Sequence, residues 1–166
     1  GGLLFVQIIQ RRQKLLWDSY CEFNTYYQGQ KRFLSSLSEE VFSRTTLRLH
    51  SAHKRSLGFE RARFAMDFPT LRIDTGLHPI WELYRSSRLA VFSYDSTGFL
   101  ECLNLGIPAV AFWDKSGFDQ ASPDATPYFD RLRDVGILFD SPAAAAIFVD
   151  SVWESIPDWW ASDEAK

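Results

Sequence analysis

The sequence predicts an α/β fold, a Rossmann-like, doubly wound parallel sheet of about six strands with helices on both faces. Three observations predict it. Short apolar runs recur at residues 3–9, 45–49, 71–73, 89–92, 109–112 and 137–139. The runs at 89–92 and 109–112 are almost free of polar residues, as strands buried on both faces require. Between the runs lie segments with helical spacing and helix punctuation, and strands alternating with helices form βαβ units.

In chain order, residues 3–9 form the first strand, and residues 20–44 are largely helical with one strongly polar side. Pro79 opens a helix with Ile80, Leu83 and Tyr84 on one face. Phe99, Leu100 and Leu103 line the next, which stops at Gly106 with Pro108 beyond it. Thr126-Pro127 opens a third, carrying Tyr128, Phe129 and Leu132 and ending at Gly136. Ser141-Pro142 opens a fourth with Ile147 and Phe148. Ser or Thr before Pro at the start, and Gly after the last turn, are the signals that backbone sterics and capping impose. Trp113, Phe118, Trp153, Trp159 and Trp160 either complete the core or face a further half of the protein; Trp159 and Trp160 are expected nearer such an interdomain surface.

The chain has 166 residues, 46% hydrophobic and 23% charged, enough for one core, so residues 1–166 read as a single domain. A net charge of -3 lacks the basic footprint of a nucleic-acid binder, so no nucleic-acid partner is expected. Cys21 and Cys102 are the two cysteines; Cys102 falls in an apolar helical stretch and reads as a small buried hydrophobe, so nothing demands an oxidising compartment. No apolar run reaches the roughly 18 residues of a membrane span. The N-terminal apolar run precedes Arg11-Arg12, the reverse of a secretory signal, and the expected compartment is the cytoplasm. Met66 is the one methionine, and the expectation is a fragment whose preceding segment is missing.

The stretch from Ser87 to Trp113 carries the chemistry. It reads strand, polar turn with glycine, helix, Gly-x-Pro, strand. Small residues Ser96, Thr97 and Gly98 at the helix start leave backbone N–H groups open, where a helix N-terminus favours an anion. This point is the carboxyl edge of a strand, where open α/β sheets bind ligands, and a phosphate or diphosphate is the natural guest. Ser93, Tyr94 and Asp95 form the approach to it. Glu101, one turn into the helix, is suited to accepting hydrogen bonds from sugar or ribose hydroxyls. The competing reading makes Asp95 or Ser96 a cap and Glu101 a solvated charge.

Arg48, His50, His53, Lys54 and Arg55 follow a strand, whose edge can aim Arg48 and His50 into the ligand crevice. A cation there stabilises charge developing on a diphosphate leaving group. Lys54 and Arg55 read equally well as a solvated basic loop. His78, before Pro79, is either a donor contact or a cap or surface residue, and Asp74, Thr75 and Gly76 read as a turn. No Asp-x-Asp element occurs, and two cysteines and three histidines at irregular spacing make no metal signature, so no metal is expected.

The stretch also carries a resemblance. Glu101 followed by Gly106-x-Pro108 is similar to the donor-site helix of GT-B glycosyltransferases and of the nucleotide-sugar epimerases of the same architecture. Ser87-Arg88-Leu89, the run from Tyr94 to Glu101, Ile107-Pro108 and Ala111-Phe112-Trp113 resemble more closely a family of bacterial surface-carbohydrate transferases, associated with lipopolysaccharide or spore-coat polysaccharide synthesis. Tyr128-Phe129, Gly136-Ile137-Leu138-Phe139 and Trp159-Trp160 resemble its C-terminal pattern. Leu47-Arg48-Leu49-His50 and Gly58-Phe59-x-x-x-Arg63-Phe64 resemble its preceding blocks, with Phe59 where that family often has Trp.

The resemblance covers most of residues 45–160. It implies the C-terminal, donor-binding half of a GT-B enzyme, with the N-terminal acceptor domain absent from this chain. The implied activity is metal-independent transfer of a glycosyl group from a nucleotide-sugar to a surface-polysaccharide acceptor, through which the enzyme is peripheral to a membrane. The implied partners are the nucleotide-sugar, which is the donor substrate and not a cofactor, and the missing domain or a partner chain that supplies it. Ser96, Thr97 and Gly98 would hold phosphate, Glu101 would hold hydroxyls, and Arg48 with His50 would act catalytically on the leaving group. The alternatives are a hydrolysing nucleotide-sugar epimerase and a non-catalytic donor-binding subunit of a split transferase.

Overall fold

The computed structural model describes residues 1–8, 23–50, 59–113 and 124–162. Cys21, His53, Lys54, Arg55, Gly58 and Phe118 lie outside the described residues. The elements in order are β1 (Leu3–Val6), α1 (Phe23–Ser36), α2 (Glu39–Ser43), β2 (Thr45–Arg48), α3 (Phe59–Asp67), β3 (Arg72–Asp74), α4 (Ile80–Ser86), β4 (Leu89–Phe92), α5 (Thr97–Asn104), β5 (Ala109–Phe112), α6 (Thr126–Asp134), β6 (Leu138–Phe139), α7 (Pro142–Val152) and α8 (Ile156–Ala161). A 3-10 turn, Trp153–Ser155, joins α7 to α8.

Six strands form one sheet in the order β3-β2-β1-β4-β5-β6, and every pairing is parallel. This is the doubly wound Rossmann arrangement the apolar runs predict. The chain winds from β1 to β3 in one direction and returns to place β4 on the other side of β1. The topological switch point therefore lies between β1 and β4, where Val6 pairs with Phe92.

Side chains alternate across each strand, so the two faces build two cores. Leu3, Phe5, Leu47, Leu89, Val91, Val110 and Phe112 face α1 and α7, with Phe33 stacked on Phe112 at 5.1 Å between centroids. Leu4, Val6, Ala90, Phe92, Ala109 and Ala111 face α4 and α5, against Tyr84, Phe99 and Cys102. Three alanines on that second face leave room for α5 to lie close to the sheet.

Helix ends follow the expected chemistry with two differences. Ser141 caps α7 through Ala144 N–H, and Ser38 caps α2 while holding Asp150 of α7 with two hydrogen bonds of 2.8 and 2.9 Å. Gly106 and Gly136 stop α5 and α6 in left-handed conformations, φ 66° and 73°. The N–H groups of Gly106 and Ile107 donate to the carbonyls of Leu103 and Cys102, the double bond pattern that closes a helix at glycine. Thr126, expected to precede the first turn of α6, lies inside it, and Ala125 takes the cap position without a side-chain bond. The polar segment before residue 44 divides at Leu37 and Ser38 into two helices.

Trp113 and Trp153 are buried core residues. Trp159 is half-buried against both cores, and Trp160, also half-buried, donates its indole N–H to Gly106 O at 2.9 Å. Cys102 is a free, buried thiol whose pKa burial pushes up to about 12, with the Glu101 carboxylate adding to the rise. It is the small hydrophobe its position predicts. Among the described residues no helix is long and apolar enough to cross a membrane.

Candidate functional site

The switch point sets the place. Beyond Val6 and Phe92 the chain continues into Gln7 and Ser93, both buried. On the α1 side Tyr26 closes the crevice: its hydroxyl accepts from Ile8 N–H at 3.0 Å and shares a 2.7 Å hydrogen bond with Ser93 Oγ. Ser93 Oγ also lies 3.4 Å from Val6 O. Ser93 is thus tied into the sheet edge, whereas the residues after it turn out toward α5.

The turn from Tyr94 to Ser96 delivers the chain to the first turn of α5. Ser96 is extended, φ -140° and ψ 149°, and its hydroxyl accepts from Phe99 N–H at 3.1 Å. Ser96 O accepts from Phe99 and Leu100 N–H. The cap therefore uses the third and fourth amides of the helix start. Thr97 and Gly98 N–H have no hydrogen-bond acceptor among the described residues, so the two amides nearest the crevice stay open. Asp95 is exposed, and Tyr94 is half-buried, its phenol raised above its ordinary pKa by burial and partly lowered by a hydrogen bond with Ser96. Glu101 is exposed one turn along the same helix.

Gly98 is fitted to its neighbours. A Cβ there would overlap the hydroxyl of Tyr84 and lie 3.3 Å from the Phe92 ring. Tyr84, on α4, is 5% exposed, with its ring 6.0 Å from Phe92. Burial raises its pKa, Cys102, Tyr94 and Glu101 add to the rise, and the Arg48 guanidinium opposes it. The phenol stays protonated at physiological pH. The helical spacing puts Tyr84 on one face with Ile80 and Leu83 but carries no sign of its position behind α5. Glycine at the second helical position opposite an aromatic hydroxyl is a signal only once α4 and α5 are known to be neighbours.

Arg48 and His78 meet through a residue read from sequence as a turn. Arg48 Nη1 donates to Asp74 Oδ1 and to His78 O, each at 2.8 Å. Both side chains of the ion pair are buried. Asp74 Oδ1 also accepts from Gly76 and Leu77 N–H at 2.7 and 3.2 Å. Asp74 Oδ2 pairs with His78 Nδ1. Burial alone would raise the Asp74 pKa; the bonds from His78 and Gly76, the Arg48 charge and the bond from Leu77 outweigh it, so the carboxyl lies below its ordinary value. An ionised carboxylate only accepts, so His78 Nδ1 carries a proton and Nε2 is left for another partner. The His78 side chain is 63% exposed at the sheet's carboxyl edge. His50, two residues beyond β2, is exposed. Arg48 ends β2, two strands and about 10 Å of sheet from β4.

The consecutive residues from Ser93 to Glu101 therefore share one edge with Tyr84. Arg48, Asp74 and His78 form a second polar group on the same edge, beside α4. Among the described residues no three His, Cys, Asp or Glu side chains gather as a metal ligand set.

No curated protein matches the sequence. A solved structure of a variant of the wall teichoic acid polymerase TagF, soaked with CDPG, is similar with a TM-score of 0.48 and 15% identity, over 96% of this chain and 35% of that one. The chain spans about a third of the length of that protein. The model of the LIC12162 family transferases matches residues 1–166, and the chain belongs to that transferase family.

Proposed function

We propose that this chain is the donor-binding unit of a metal-independent glycosyltransferase of GT-B type, acting on a nucleotide-sugar and a surface-polysaccharide acceptor. The observation that carries the reading is the pair of open amides, Thr97 and Gly98, at the N-terminus of α5 beside the switch point. A diphosphate seated there meets backbone N–H groups and the positive end of the helix. Ser96 fixes the helix start that aims those amides, with Tyr94 and Asp95 flanking the entrance. Glu101, one turn in, accepts hydrogen bonds from sugar or ribose hydroxyls. His78, its ring oriented by Asp74, contacts the donor through Nε2. Arg48, whose Nη1 is shared by Asp74 and the His78 carbonyl, and His50 beyond the same strand are the residues of the opposite wall that would act on the leaving diphosphate. The acceptor and its site belong to an N-terminal domain or partner chain, in a protein of the cytoplasm that reaches the membrane through its acceptor.

Isothermal titration with UDP-, GDP- and CMP-sugars tests the reading. At least one should bind, and Glu101→Ala should weaken that binding by about tenfold, the worth of one or two hydrogen bonds to hydroxyls. Absence of heat with all three donor classes would overturn the assignment.

A further inference from the structure

The hydroxyl of Tyr84 lacks a hydrogen-bond partner among the described residues, although the residue is 5% exposed. Buried phenols ordinarily find a partner. The oxygen is not sealed in the interior as Gln7 Oε1 and the Gln30 amide atoms are, so it keeps contact with solvent. It lies against Gly98, in the first turn of α5, at the spot a Cβ would occupy. The ring behind it is held between α4 and Phe92, which fixes the direction in which the hydroxyl points.

We infer that Tyr84 is a ligand-binding residue whose hydroxyl donates a hydrogen bond to a phosphate oxygen held by the Thr97 and Gly98 amides. This rests on the donor-site reading above and adds a side-chain donor to it. The chemistry is consistent on three counts. A phenol that stays protonated offers a donor, which an anion needs, and no negative charge, which it would reject. Glycine at position 98 leaves the hydroxyl, beside the helix start, the space that a Cβ would fill. A hydroxyl already fixed by packing loses little freedom when it binds, so the bond contributes fully to affinity.

Tyr84→Phe removes the oxygen and keeps the ring. Titration with UDP, CDP, GDP and inorganic pyrophosphate should show affinity falling about tenfold in the variant for whichever of these the wild type binds, with Tm within about 2 °C of wild type. Affinity for the corresponding nucleoside should not change. Equal diphosphate affinity in the two proteins would overturn the role of Tyr84 and leave the donor site standing. Failure of the wild type to bind any of the four would overturn the donor site itself. Should the variant not fold, 3-fluorotyrosine placed at position 84 of the otherwise wild-type chain gives a second reading. Its fluorine resonance should move on adding the bound diphosphate and stay still with the nucleoside, and an unmoved resonance at saturation would overturn the inference.

Discussion

Gly98 shows how one missing methyl group shapes the site. Alanine is the better helix former by about 1 kcal/mol, so on an open helix Gly98→Ala would stabilise. Here the added carbon meets the Tyr84 hydroxyl, and the Phe92 ring at 3.3 Å bars retreat. Overpacking of this kind costs about 1–3 kcal/mol, so the clash outweighs the propensity gain. Net of that gain the loss is up to about 2 kcal/mol, so Gly98→Ala is expected to lower Tm by up to about 8 °C in thermal unfolding, given about 2–4 °C per kcal/mol for a chain of this size. Adding Tyr84→Phe should restore most of the loss, because the ring carbon beneath the hydroxyl is 3.5 Å away, an ordinary contact. A double variant no more stable than Gly98→Ala would mean that the hydroxyl is not the obstacle. Gly98 was legible in the sequence as a small residue at a helix start; that it makes room for Tyr84 was not, because the two residues are 14 positions apart on different helices.

If α5 holds the donor as proposed, Ser96 joins stability to binding. Its hydroxyl caps the helix, and its backbone sets the direction of the two open amides. Ser96→Ala should cost about 1 kcal/mol of stability, the usual worth of such a cap. Ser96→Asp separates the two duties. Aspartate caps as well as serine and adds a favourable charge at the helix N-terminus, so Tm should return to the wild-type value or pass it. The same charge repels a diphosphate, so nucleotide affinity in the titration should fall at least tenfold. Undiminished affinity in Ser96→Asp would place the anion elsewhere. The elements themselves were legible because their signals are local: buried strands read as unbroken apolar runs, and glycines 106 and 136 end helices as only positive φ allows. The third strand is one exception. Its apolar run, residues 71–73, is shifted by one from Arg72–Asp74. Asp74 belongs to the strand because Leu49 N–H bonds its carbonyl and Arg48 neutralises its side chain, and neither contact is local in sequence.

Across the sheet, the doubly wound class was legible, but no single residue marks β4 as the strand that crosses to the far side of β1. The order decides what Asp74 does. β3 is an edge strand, bonded among the described strands to β2 alone, and the cluster of Asp74, Arg48 and His78 ties that edge to the loop leading into α4. Helix α4 in turn carries Tyr84 to the back of α5. The Asp74 pKa is depressed in the folded protein, by bonds and charge that outweigh burial. A depressed carboxyl stabilises the fold above its unfolded pKa of about 3.9, and that stability is lost as pH falls through the folded value. Asp74→Asn removes the titrating group and leaves Arg48 buried without its counter-charge, which costs about 3–5 kcal/mol at neutral pH. Thermal unfolding followed between pH 7 and pH 3 should therefore show two differences. The variant should start lower at pH 7, and the gap between it and the wild type should narrow below about pH 4, where the unfolded chain takes up the proton that the folded carboxylate still resists. A gap that stays constant through the acid range would show that Asp74 takes up its proton equally in the folded and unfolded chains, and that the edge of the sheet is held by packing and not by this ion pair.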